Sequence, residues 1–128
     1  MTVAFWCVLI AIILPYACVA IAKFSGGDYG PSANHAPREF LAGLSGWRQR
    51  AHHAQLNSFE IAPAFAAAVI IAHLAGGASQ ALIDSLAVAF IISRLFYIGC
   101  YIADWAPVRS VVWFMGVGLI VAMFVVAA

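Results

Sequence analysis

Apolar residues run almost unbroken from Thr2 to Ala22, thin out from Lys23 to Trp47, return at Ile61 to Ala75, and fill two more stretches ending near Asp104 and at Ala128. A helix rising about 1.5 Å per residue needs about 20 residues to cross ~30 Å of hydrocarbon. Thr2 to Ala22 meets that length alone and predicts helix one, kinked at Pro15. The polar interval reads as one long loop, because Ser25, Gly26, Gly27, Asp28, Gly30, Pro31, Asn34 and Pro37 set turn formers at close spacing. Ile61 to Ala75 is too short to span, so helix two must start earlier, which carries Asn57 and Glu60 into the hydrocarbon or to its edge. Gly76 and Gly77 stop it. Helix three follows to about Asp104 with Arg94 midway along, and helix four opens at Pro107, a first-turn proline. The expectation is an all-α, integral membrane four-helix bundle forming a single domain over residues 1–128, with helices at about 2–23, 47–75, 79–104 and 107–127 and a loop at about 24–46.

Composition fixes the solvent. The chain is 66% hydrophobic and 9% charged, against about half and about a quarter in soluble domains. A soluble monomer is excluded. A net charge of +1 offers no basic patch, so nucleic acid is not an expected partner; membrane lipids are. Cys7, Cys18 and Cys100 lie in apolar runs without CxxC spacing and read as inert. The first helix has no basic n-region and exceeds a signal-peptide core in length, so it is expected to be retained. Lys23, Arg38, Arg48 and Arg50 flank the first loop, Arg109 the third, and the second has no positive charge; loops one and three are therefore expected in the cytoplasm, with both termini opposite.

A charge at mid-membrane costs about 2.5 to 3.5 kcal/mol even on a lenient scale, so Glu60 and Arg94 are expected to pair across helices two and three. Arg50, His53, Asn57, Glu60 and Ala64 follow 3-4-3-4 spacing on one face of helix two, and Arg94, Tyr97 and Tyr101 share a face of helix three. Arg109 and Ser110 occupy the first turn of helix four, where free backbone N–H groups favour an anion. Together these predict a cleft near the cytoplasmic end, with donors for carboxylates and a hydroxyl for a thiol. His52 and His53 point about 100° apart on a helix, and without further ligands they do not make a metal site. Trp47, Trp105 and Trp113 read as interfacial anchors, and Gly116 with Gly118 as a close-packing stripe.

The segment from Arg50 through His52, His53, Asn57 and Glu60, followed by Pro63 and Phe65, resembles the helix-two signature of the MAPEG family, the membrane-associated proteins in eicosanoid and glutathione metabolism. Arg94, Tyr101 and Pro107-Val108-Arg109-Ser110 resemble its helix-three to helix-four segment. The resemblance implies a homotrimer of four-helix subunits with glutathione bound between neighbours near the cytoplasmic face. It assigns Asn57, Glu60, Tyr101, Arg109 and Ser110 to the glutathione site, Arg94 as the buried partner of the glutamate, and Arg109 and Ser110 to stabilising the thiolate; Arg50, on the same face of helix two, and Arg94 are expected to complete the glutathione-binding set. Leu56 stands where the prostaglandin synthase branch has arginine, Tyr97 where it has histidine, and Trp113 where a tyrosine is found. The loop Asn34-His35-Ala36-Pro37-Arg38-Glu39 looks like that of small bacterial members, which implies a bacterial inner membrane.

Two functions follow. The first is a glutathione-dependent transferase or peroxidase whose lipophilic small-molecule substrate enters through an apolar groove between helices one and four. The alternative is a non-catalytic membrane protein that keeps the scaffold and binds a lipid or a protein partner, which Leu56, Tyr97 and Trp113 favour. An ion pathway is disfavoured, because helices one and four offer no charged residue to continue it.

Overall fold

A computed structural model describes residues 1–128. Its helices are α1 (Val3–Phe24), α2 (Pro31–His35), α3 (Pro37–Ala42), α4 (Gly46–Ala75), α5 (Gln80–Ile102) and α6 (Ala106–Ala127). Four of them, α1, α4, α5 and α6, are long and apolar enough to cross a membrane; they are helices one to four of the sequence. The protein is an all-helical integral membrane protein, and large apolar side chains such as Trp6, Leu74, Ile92, Phe114 and Val125 face outward, as lipid-facing residues do.

α4 and α5 form the inner pair, with α1 packed against both on one side and α6 packed against both on the other. Small residues bring the helices together: Ala4, Cys7 and Ala11 of α1 meet Ala62, Ala68 and Ala72 of α4 and Ala87 of α5, all buried. The stacked rings of Phe65 and Phe90, 4.0 Å apart at 9°, fill the middle. Gly116 does not mark unusually close packing, since an added methyl there would meet Ser93 Oγ at 3.6 Å, and Gly118 faces open space. Gly77 is the tight point, because a methyl there would collide with the Ala127 carbonyl.

Helix ends are fastened by side chains distant in sequence. The Ala4 N–H donates to the Asp84 carboxylate at 2.8 Å, so α5 caps the first turn of α1. At the other end Arg48 donates to the Ala22 carbonyl at 2.9 Å and the Lys23 carbonyl at 3.2 Å, two acceptors left over by the end of α1. The same guanidinium holds both Asp28 carboxylate oxygens, at 2.6 and 3.0 Å. The segment between α1 and α4 is thus ordered, and it contains α2 and α3 where the sequence predicted irregular chain. Pro31 and Pro37 each begin one of these helices, the position where a missing N–H removes no helical bond.

Candidate functional site

One cleft runs between α4, α5 and α6 and has three adjoining lobes. Its polar lobe, about 260 Å³, is lined by His53, Leu56, Asn57, Glu60, Tyr97 and Tyr101. Tyr97 is shared with a middle lobe of about 130 Å³ that adds Arg109, Ser110, Trp113 and Phe114. Trp113 is shared in turn with an apolar lobe of about 210 Å³, walled by Ile61, Ala64, Val117 and Ile120 and rimmed by Asn57 and Glu60. Together the lobes reach the size of small-molecule sites, about 300 to 1,000 Å³. Trp113 is half-buried in this wall. The apolar lobe lies between helices two and four; within one chain helix one packs on α4 and α5, so the groove expected between helices one and four is not formed there.

Glu60 and Arg94 do not pair directly. Arg94, 2% exposed, donates from Nη2 to Asn57 Oδ1 at 2.8 Å, and Asn57 Nδ2 donates to Glu60 Oε2 at 3.3 Å. The amide connects the two charges. The reason is geometric: Asn57 and Glu60 are three residues apart on one helix face, and the amide, one turn nearer its own end of α4, meets the guanidinium first. Glu60 itself is exposed and has no cation in ion-pair range.

Arg94 lies 4.1 Å from the Tyr97 ring centre and Arg109 lies 4.3 Å from that of Tyr101. The two rings meet edge to face at 5.6 Å, and His53 closes on Tyr101 at 6.2 Å. Two tyrosines in edge-to-face contact therefore sit between two guanidiniums, a cation–π ladder that leaves the charge of Arg109 without a counterion. Arg109 has no carboxylate partner. The Ser110 hydroxyl donates back to the Ala106 carbonyl at 3.1 Å, a bond worth about 1 kcal/mol that an anion in the middle lobe could replace with a stronger one.

Arg50 departs from the expected cluster. It donates to the Ile102 carbonyl at 3.0 Å and lies 3.9 Å from the Asp104 carboxylate, so it fastens α4 to the end of α5 and lines no lobe of the cleft. His52 turns away to Gln55 at 3.0 Å. The residues brought together are Asn57, Glu60, Tyr101, Arg109 and Ser110, with Arg94 behind them. Tyr97, which the sequence puts on one helix face with Arg94 and Tyr101, is the wall common to the polar and middle lobes; that it joins the two lobes is not encoded in the spacing.

The family model of the MAPEG family matches residues 3–128. No curated protein and no solved structure matches the chain.

Proposed function

Because the chain belongs to the MAPEG family, we propose that it is a membrane-embedded glutathione-dependent transferase or peroxidase acting on lipophilic electrophiles. The observation that carries this reading is a pair of opposite charges in one cleft, Arg109 and Glu60, neither of which has an ion-pair partner. A carboxylate with no countercharge in a membrane-spanning helix is costly, and a ligand bearing an ammonium group relieves that cost. Glutathione supplies an ammonium group for Glu60 and carboxylates for cationic and amide donors. With its ends held by Glu60, Asn57 and Tyr101, its thiol reaches the middle lobe beside Arg109 and Ser110.

A thiol with pKa about 8.5 is mostly protonated at neutral pH. Each unit by which Arg109 and Ser110 lower it contributes about 1.4 kcal/mol toward the thiolate. The S–H proton leaves to water at the cytoplasmic mouth. The thiolate sulfur then attacks an electrophilic carbon held in the apolar lobe; the C–S bond forms and the leaving group departs with the electron pair of its broken bond. With a hydroperoxide, sulfur attacks oxygen, the O–O bond breaks, and the alkoxide takes a proton; a second glutathione converts the sulfenic acid to disulfide and water. Holding the reactants together contributes further to lowering the barrier.

The cleft is open, and its charged residues are half-buried or exposed in the single chain. A homotrimer, as the family resemblance implies, would close it with a neighbouring copy. The reading places loops one and three in the cytoplasm and the bundle in a bacterial inner membrane. The alternative of a non-catalytic binder of a lipid or a protein partner draws on the Ser110 hydroxyl being turned back to Ala106.

Calorimetric titration of detergent-purified protein with glutathione, alongside conjugation of an aryl halide, tests this. Binding with conjugation, both at least about tenfold weaker in Arg109→Ala, is the expected outcome. Binding without conjugation supports the non-catalytic reading, and no binding overturns the use of glutathione.

A further inference from the structure

On the opposite side of Arg94 from the cleft, Ala11 and Leu14 of α1, Ser58, Ile61 and Ala62 of α4, and Phe90 of α5 enclose a space of about 10 Å³ against the arginine. One side-chain nitrogen here lacks a partner, and one carbonyl loses its regular helical donor. Arg94 Nη1 is buried and makes no hydrogen bond. The Ala11 carbonyl loses its regular i+4 donor, because the residue four positions on is Pro15, itself buried and without an N–H. Ser58 adds a third group: its hydroxyl already donates to the Ala54 carbonyl at 2.8 Å, so only its acceptor lone pairs remain free.

We infer that this junction of α1, α4 and α5 is a binding site for one internal water, which accepts from Arg94 Nη1 and donates to the Ala11 carbonyl and to Ser58 Oγ. Three bonds is the usual number for a buried water, and the space is about what one water needs. In walls that are otherwise apolar, these three polar groups select the ligand. An anion would satisfy Arg94 but face two lone-pair donors, and a cation would face the guanidinium; only a small molecule that both accepts and donates matches all three. Volume points the same way, because a halide is larger than a water. The inference stands apart from glutathione binding, since it concerns the face of Arg94 turned from the cleft.

Such a water gives the guanidinium a polar partner on each side, Asn57 toward the cleft and the water toward α1. It also links the proline break in α1 to the residues beneath the ligand-binding lobe. The break is then a hydrogen-bonded joint rather than a bare gap in the helix.

Crystals of the full chain, grown from a lipidic phase and diffracting well enough to show ordered waters, provide the test on unaltered protein. One set is grown in chloride and one in bromide. A compact peak within hydrogen-bond distance of Arg94 Nη1 and the Ala11 carbonyl, without a bromide anomalous signal, is the expected result. An empty space while other buried waters are visible, a bromide signal, or Nη1 bonded directly to a protein acceptor would each overturn the inference.

Discussion

At the scale of single residues, Asn57 holds the position that formal charge alone would give to Glu60. The mid-membrane cost of Glu60 and Arg94 pointed to a direct pair, but an amide offers an acceptor to one charge and a donor to the other, and that possibility is invisible to an argument that counts charges. This reverses the usual ranking of the two side chains. Asn57→Leu strips Arg94 of its protein hydrogen bond on the cleft side and is expected to destabilise the protein by about 2 to 3 kcal/mol. Glu60→Gln keeps that bond and is expected to change stability by less than about 1 kcal/mol. Unfolding in detergent measures both, and equal losses would restore the direct ion pair. What the sequence did make legible was which residues share a face: 3-4 spacing put Asn57 with Glu60 on α4 and Tyr97 with Tyr101 on α5, and the fold then brings Arg109 of α6 beside Tyr101. Arg50 shared that spacing, yet the end of α5 claims it, a tertiary contact that periodicity does not encode.

Among the elements, the long spans were readable because each is an extended run with almost no charge, a signal that depends on length and polarity alone. α2 and α3 were not, since five- and six-residue helices present too few turns for a period. What orders them is a side-chain cluster: Tyr29 donates to Asn34 at 2.9 Å and packs on Phe24 and Phe40, with Arg48 over the Phe40 ring at 5.7 Å. The Arg48 hydrogen bonds hold the Asp28 carboxyl below the usual carboxylate range. A depressed folded-state value means that the contribution of this clasp is complete above the unfolded value, about pH 4, and is lost as pH falls through the lower folded one. Melting measured across that acid range should therefore decline more steeply for the wild type than for Asp28→Asn; parallel curves would show that the clasp does not order the segment. At the far end, Asp84→Ala removes the cap on α1 and is expected to cost about 1 kcal/mol in detergent unfolding. A variant as stable as wild type would mean that water caps α1 equally well.

For the whole molecule, the inner pair α4–α5 divides the work. One side, toward α1, is dry and close-packed apart from the small space behind Arg94; the other, toward α6, opens into the three-lobed cleft. Arg94 crosses between them, which is why a residue so deeply buried touches the candidate site. The openness of the cleft in a single chain accords with the trimer that the family resemblance implies, and light scattering of the detergent complex should return three times the 13.6 kDa of one chain after subtraction of detergent. A monomer that still binds glutathione would show that no neighbour is needed. The central claim, that Arg109 and Ser110 face an activated thiol, is tested most directly by the ultraviolet difference absorbance of thiolate when glutathione is added near neutral pH. Wild-type protein should generate the thiolate band, and Arg109→Ala should require a pH about one unit or more higher to reach half of it. A band of equal size and equal pH midpoint in both proteins would contradict the assignment.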